Sequence, residues 1–134
     1  MITYRKFNFN EDYSVLKEFF HHYWGEENAP TPDRLPSDGV VADDDQLGVV
    51  GCVFLYTTSN SGMAILGFPV LNPKLSKDRG IVIRKMIEMA EFIARYNGYV
   101  YMNTWSGTDS IKKHLEESNY KVADSGVSHY IKRL

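Results

Sequence analysis

An apolar strand that leads into a long amphipathic helix is the feature of this 134-residue chain that most limits its fold. Residues 62–71 (GMAILGFPVL) are typical of a buried strand, which Asn72-Pro73 ends. Apolar residues then recur at helical spacing, at Ile83, Met86, Ile87, Ala90, Ile93 and Ala94. A strand followed by such a helix predicts a sheet with a helix packed against it.

The start of that helix carries a glycine, Gly80, within the segment 77–82 (KDRGIV). A glycine there leaves backbone N–H groups pointing outward at the positive end of the helix dipole, where proteins bind phosphate or pyrophosphate. Helix starts that bind nothing also often carry a glycine and basic neighbours. The segment therefore predicts a nucleotide-like cofactor only if the rest of the fold suits one.

The remaining patterns predict the order β-α-loop-β-β-β-α-β-α-β-β in one domain, 1–134. Strands are expected at 2–7, 39–42, 47–57, 63–71, 99–104, 120–123 and 127–132. The first helix is expected to be capped by Asn10 and to stop at Gly25, the second to end near Asn97, and the third to span 109–118. This order predicts an α/β (α+β) fold, a mixed, mostly antiparallel central sheet with helices on both faces.

Composition narrows the class of protein. The net charge of −2 offers no general attraction to nucleic acid or anionic membranes, so nucleic-acid binding is not expected. No apolar run approaches the roughly 20 residues of a membrane helix, and the single cysteine, Cys52, suits buried packing in a reducing compartment. We expect a cytoplasmic protein with no membrane partner.

The element order and the glycine segment together resemble the GCN5-related N-acetyltransferase (GNAT) superfamily, whose cofactor signature is Gln/Arg-x-x-Gly-x-Gly/Ala at this helix start. A second landmark of the superfamily is matched loosely by residues 115–120 (LEESNY). The resemblance implies acetyl-CoA as cosubstrate and transfer of its acetyl group to a primary amine by direct attack in a ternary complex. Residues 100–115 are also similar to GNAT-like proteins of tailed phages, which implies the alternative of a catalytically inactive binding or assembly protein.

The resemblance also implies which residues bind the cofactor. Backbone N–H groups of Phe68 and Val70 would meet the thioester and the pantetheine arm. The pyrophosphate would lie on Lys77, Asp78, Arg79, Gly80, Ile81 and Val82. Candidates for the 3′-phosphate are Lys74, Arg79 and Arg84.

Three positions depart from the superfamily pattern. Val82 replaces a small residue and is expected to crowd the pyrophosphate. Pro69 has no N–H to donate, although a proline there also marks a bulge where strands separate. Leu115 stands where many members carry a tyrosine that protonates the leaving thiolate, and its neighbour His114 is expected at the surface.

Because Leu115 cannot protonate the leaving thiolate, other residues are the candidates for catalysis. Ser106 and Tyr120 are candidates for the missing proton donor, and Glu27, after the first helix, is a candidate base near the acceptor. Trp24 and Trp105 suit either an acceptor pocket or the core. No metal site is expected from the spacing of the histidines and acids. The acceptor stays open, and so does a homodimer through edge strands.

Overall fold

The computed structural model describes residues 1–106 and 108–134. Its elements are β1 (Ile2–Lys6), α1 (Phe9–Asn28), a 3₁₀ turn (Pro32–Arg34), β2 (Asp38–Asp44), β3 (Gly48–Thr57), β4 (Met63–Leu71), α2 (Arg79–Tyr96), β5 (Tyr101–Asn103) and α3 (Asp109–Glu117). The strands follow the order β1-β2-β3-β4-β5, and only β4 and β5 run parallel. The predicted mixed, mostly antiparallel sheet with helices is therefore confirmed.

Helix α1 begins two residues earlier than the sequence predicts. The side chain of Asn8, not Asn10, accepts the N–H of Glu11 at 3.3 Å, and the carboxylate of Asp12 accepts the N–H of Asn8 at 2.8 Å. This reciprocal capping satisfies two backbone donors at once and fixes the start of the helix. The regular helix stops at Gly25, as the sequence predicts, because its φ of 76° and ψ of 165° are non-helical; a further helical turn follows this kink and reaches Asn28.

Two hydrophobic cores lie on opposite faces of the sheet. On one face α2 contributes Val82, Ile83, Met86, Ile87 and Ala90, which pack against Val40, Ala42, Val50, Val53, Leu66 and Leu71. On the other face α1 contributes Leu16, Phe19 and Phe20, which pack against Val41, Cys52, Phe54 and Val70. Burial raises the pKa of the Cys52 thiol, which is consistent with its expected role as core packing.

Strand β4 contains a bulge at the proline. Cys52 pairs with Val70 and Phe54 pairs with Gly67, so Phe68 and Pro69 together face one residue of β3. Phe68 takes the positive φ of 45° that this extra residue requires. In a regular strand, residues five positions apart face opposite sides of the sheet. The bulge adds one residue between Leu66 and Leu71, so both of them face α2.

The parallel pair β4–β5 is short. β5 pairs only with Met63–Ile65, and the hydroxyl of Thr104 donates to the carbonyl of Leu66 at 2.9 Å just beyond the last pair. From there β4 continues to Leu71 while the chain after β5 turns away. The end of β4 therefore has no neighbouring strand on this side, and a gap separates it from α3.

The two C-terminal strands predicted at 120–123 and 127–132 are wrong, because residues 119–134 form neither strand nor helix. β5 is three residues long and offers few backbone groups for a further strand to pair with. The segment crosses the opening of the sheet instead, where His129 and Ile131 line it and Arg133 forms a 2.9 Å salt bridge with Asp33. Within the described residues, no helix has the length and apolar character needed to span a membrane.

Candidate active-site cleft

A cleft of about 1050 Å³ occupies the opening of the sheet. Its walls come from β4, the start of α2, the loop after β5, α3, the kinked end of α1 and the C-terminal segment. The bulge residues Phe68 and Pro69 lie in one wall, together with Val70. Pro69 lies where the β-ladder is already interrupted, so its missing N–H removes no ladder hydrogen bond.

The first turn of α2 forms the mouth of the cleft. Asp78 precedes the helix in a left-handed conformation, φ 60°, and the N–H of Val82 makes the first helical hydrogen bond, to the carbonyl of Asp78 at 2.9 Å. The N–H groups of Arg79, Gly80 and Ile81 come before that bond and have no carbonyl one turn earlier in the helix. These three amides are the donors that a phosphate would meet.

Val82 does not crowd this mouth, contrary to the expectation from the sequence. Its side chain is 1% exposed and belongs to the core between α2 and the sheet. Ile81, which is 57% exposed, is the residue of the segment that faces solvent. Lys77 and Asp78 are also exposed. Of the segment 77–82, Arg79 lines the cleft, whereas Lys77, Asp78, Gly80, Ile81 and Val82 are not among its lining residues.

Arg79 holds the loop before α2 against α1. One guanidinium nitrogen, Nη1, donates to the carbonyls of Asn72 at 3.1 Å and Leu75 at 2.6 Å. The other, Nη2, donates to the hydroxyl of Tyr23 at 3.0 Å. Arg79 therefore fixes the shape of the cleft, and its hydrogen-bonding capacity is largely used within the protein.

His114 lines the cleft from α3, and its expected place at the surface is wrong. Its side chain is 16% exposed and its ring lies against Gly80. Burial, reinforced by the charge of Arg84, lowers the pKa of His114. Arg84 Nη1 donates to Glu117 Oε2 at 2.5 Å and also lies 3.4 Å from His114 Nδ1; since arginine only donates, this second contact suits a neutral ring with its proton on Nε2. Leu115 is 8% exposed and packs in the core.

The three candidate catalytic residues lie in different places. Ser106 lines the cleft, where its hydroxyl donates to the carbonyl of Thr108 at 3.1 Å and accepts the N–H of Thr108 at 3.3 Å. Glu27 is exposed beyond the kink of α1 and is not among the cleft residues. The structure thus brings Ser106, but not Glu27, together with the β4 bulge.

Tyr120 lines a separate cavity, with Glu91 and Arg95, and is also absent from the cleft walls. Its hydroxyl is buried and has no hydrogen-bond partner within the part of the chain that the structure describes. Burial raises the pKa of Tyr120, as does the neighbouring Glu91 carboxylate. A phenol with a raised pKa donates a proton poorly, and this one lines a different cavity from the bulge.

Aromatic residues form the end of the cleft nearest α1. The rings of Trp24 and Phe68 meet edge to face, with centroids 6.3 Å apart, and both tryptophans of the chain line the cleft. The guanidinium carbon of Arg34 lies 5.2 Å from the centre of the Phe68 ring. Tyr56 donates its hydroxyl to the carbonyl of Arg34 at 2.6 Å, and burial raises the pKa of Tyr56 to about 12.

Sequence reasoning missed Arg34 and Tyr56 altogether. One comes from the proline-containing loop and the other from β3, and no spacing in the sequence connects them. For Trp24 and Trp105 the sequence left pocket and core open, and both lie in the cleft walls.

The sequence matches no protein-family model and no curated protein. Solved structures do resemble the fold. An acetyltransferase from Trypanosoma brucei is 15% identical at a TM-score of 0.71, over 98% of this chain and 100% of that one. An aminoglycoside acetyltransferase from an uncultured soil metagenomic sample is 15% identical at 0.67, over 99% and 96%.

N-acetylglutamate synthase from Neisseria gonorrhoeae, solved with coenzyme A and N-acetyl-glutamate, is 15% identical at a TM-score of 0.70. The match covers 87% of this chain and 28% of that chain. Together these similarities show the GNAT fold. The likeness to proteins of tailed phages stays a prediction.

Proposed function

We propose that this GNAT-fold chain transfers an acetyl group from acetyl-CoA to a primary amine. The observation that carries the proposal is the cleft itself, which extends from the bulged strand β4 to Arg79, the first residue of α2, beside the amides that have no partner in the helix. The solved structures of similar fold support it, because two of them are acetyltransferases and a third, N-acetylglutamate synthase, was solved with bound coenzyme A.

The pyrophosphate would bind the N–H groups of Arg79, Gly80 and Ile81, because these donors have no partner in the helix and lie at the positive end of its dipole. Neutral His114, adjacent to Gly80, would contribute its Nε2–H to the same region. Lys74 and Lys77 would supply positive charge nearby, and Lys74 is the candidate for the 3′-phosphate, because the guanidinium of Arg84 is already paired with Glu117.

The thioester would lie along the β4 bulge, near Phe68 and Val70. The neutral amine attacks the carbonyl carbon, a C–N bond forms, and the C–S bond breaks. The thiolate leaves with the bonding electrons and takes up one proton, while the amine loses one. Holding both reactants in one cleft makes this attack effectively intramolecular.

Ser106 is the candidate proton donor that the geometry favours, because its hydroxyl lies in the cleft wall; its single proton now bonds the carbonyl of Thr108, so the hydroxyl would have to rotate to reach the thiolate. Tyr120 and Glu27 lie outside the cleft and would need a movement of the chain to act. A Ser106→Ala variant should therefore lower kcat and leave acetyl-CoA binding unchanged.

Isothermal titration with acetyl-CoA and with CoA tests the proposal. Binding at micromolar concentration, lost in Gly80→Asp and retained in Gly80→Ala, would support it, because both changes place a Cβ against His114 but only the first adds a carboxylate at the free amides. Absence of binding at millimolar ligand would contradict it. Binding without acetyl transfer to any amine would favour the inactive binding protein instead.

A further inference from the structure

The aromatic end of the cleft holds an arginine without an acidic partner. Arg34 is half-buried and lies over the Phe68 ring, and among the described residues it forms no salt bridge. Its neighbour in sequence, Asp33, is already paired with Arg133 and hydrogen-bonded to Thr31. The guanidinium is consequently available to an anion that enters the cleft.

The backbone around Arg34 is held in place. The Tyr56 hydroxyl bonds the Arg34 carbonyl, and Phe68, on which the guanidinium lies, belongs to the bulge of β4. A guanidinium fixed over a ring is preorganised for a planar carboxylate, which it binds through two parallel hydrogen bonds. Because Phe68 belongs to the bulge, Arg34 also lies next to the segment along which the thioester is proposed to bind.

The charge of the cleft wall argues against a polycationic acceptor. The described lining residues include Arg34, Arg79, His114 and His129 but no aspartate or glutamate. An amine-rich sugar would place several positive charges beside these groups without one carboxylate to balance them. The cleft therefore differs from what an aminoglycoside requires.

The side walls favour a flat apolar group. Tyr23, Trp24, Tyr56, Phe68 and Trp105 all line the cleft, so a ring entering it would be surrounded by ring faces and edges. From these observations we infer that the acceptor is a small aromatic amine that also carries a carboxylate, with an aromatic α-amino acid as its simplest form. The inference rests on the proposed function for the transfer step.

In this arrangement the carboxylate binds Arg34, the ring packs among the aromatic side chains, and the amine faces the β4 bulge. The amine nitrogen forms the C–N bond with the acetyl carbon, and the thiolate of CoA leaves, so the products are the N-acetyl amino acid and CoA. Arg34 acts as a specificity-determining residue because it recognises the end of the acceptor that does not react.

Four acceptors test the contributions of the carboxylate and of the aromatic ring separately. L-Phenylalanine has both, 2-phenylethylamine lacks only the carboxylate, L-alanine lacks only the ring, and tobramycin is a polycation. Each is assayed with acetyl-CoA by release of the CoA thiol and by product mass. L-Phenylalanine should give a kcat/KM roughly 10- to 100-fold above that of 2-phenylethylamine, the range expected for one charged bidentate contact.

Variants then locate the effect. Arg34→Gln should remove the preference for L-phenylalanine over 2-phenylethylamine through KM and leave acetyl-CoA affinity unchanged. Arg95→Gln, which removes an arginine from the other cavity, should keep the preference. Transfer to tobramycin or to 2-phenylethylamine in preference to L-phenylalanine would overturn the inference, as would an unchanged preference in Arg34→Gln.

Titration of L-phenylalanine alone separates this inference from the proposed function. Binding that depends on Arg34 in a protein that does not bind acetyl-CoA would sustain the ligand class and refute the transferase. Binding of acetyl-CoA without binding or acetylation of L-phenylalanine would refute the ligand class and leave the transferase standing.

Discussion

The ring of His114 occupies the space that a side chain at Gly80 would need. A Cβ built on Gly80 would lie 2.8 Å from the His114 Cε1 atom, closer than van der Waals contact allows. Because residue 80 has no side chain, α3 packs closely against the first turn of α2. The imidazole of His114 therefore lies beside the amides of that turn that have no partner in the helix. The same contact couples the proposed phosphate site to α3.

Gly80→Ala should reveal this coupling. Overpacking against the imidazole costs about 1 kcal/mol or more, and the better helix propensity of alanine offsets part of that loss. In a His114→Ala background the same change should stabilise the protein slightly, because the obstructing ring is gone. Urea unfolding of the four proteins of this cycle should give a coupling energy of about 1 kcal/mol; strictly additive effects would mean that the two residues do not touch.

His114 should also make stability depend on pH. Its folded-state pKa lies below its unfolded value of about 6.5, so the unfolded chain binds the proton first as the pH falls. Its contribution to the unfolding free energy is present above pH 6.5 and declines as the pH falls below that value. Urea unfolding at pH 7.5, 6.5 and 5.5 should show the decline, and His114→Gln should reduce it. An equal decline in the variant would assign it to other groups.

Val82→Gly should destabilise the fold without tightening CoA binding. The side chain is buried between α2 and the sheet, so its loss removes packing and adds the helix penalty of glycine, together about 3 kcal/mol. Ile81→Ala removes an exposed apolar side chain from the next position and serves as the control. Denaturant unfolding and CoA titration of both variants check this. Tighter CoA binding by Val82→Gly would instead support the prediction from the sequence that Val82 crowds the pyrophosphate.

Asp12 is a buried carboxylate on which the start of α1 depends. It is 1% exposed and accepts two hydrogen bonds from Arg5, at 2.7 and 2.9 Å, besides the N–H of Asn8. Burial alone would raise the pKa of Asp12, but these hydrogen bonds outweigh it and lower that pKa. Asp12→Asn should therefore cost about 2 kcal/mol of unfolding free energy near neutral pH.

The same pair adds a second pH effect at lower pH. Because the folded pKa of Asp12 is depressed, its stabilisation is present above the unfolded pKa of about 3.9 and is lost as the pH falls further. Unfolding measured between pH 6 and pH 3 should therefore be steeper in the native protein than in Asp12→Asn. Asp45→Asn, which removes an exposed ion pair, should leave the curve unchanged.

Local patterns in the sequence predicted the parts of the fold that depend on local interactions. The strand–helix junction, Gly80 at the helix start and a bulge at Pro69 follow from periodicity, backbone freedom and the missing proline N–H. The last two strands did not follow, because strand pairing depends on an edge that a distant segment must provide. Their residues alternate well enough for strands, but His129 and Ile131 line the cleft, whereas Tyr120 and Lys121 line the other cavity.

The site was harder to predict than the fold. Helical spacing places His114 and Leu115 about 100° apart but does not say which of the two faces the core. The resemblance placed Leu115 at the position of the catalytic proton donor and left His114 at the surface. In the structure Leu115 is buried in the core, and His114 is the residue that faces the cleft. Arg34 depends on a contact with Phe68 across 34 residues of chain, and no local pattern encodes such a contact.

The bulge at Phe68 and Pro69 also sets a rule for how this chain can change its length. Deleting one of the two residues would restore strict alternation without moving the residues that follow, because one residue would then face Val53 and Val70 would still pair with Cys52. Val70 would still face α1 and Leu71 would still face α2, each in the core that it now fills. A single-codon deletion at the bulge would therefore leave both cores aligned, whereas the same deletion in the regular part of β4, for example at Ile65, would exchange the faces of the residues on one side of it.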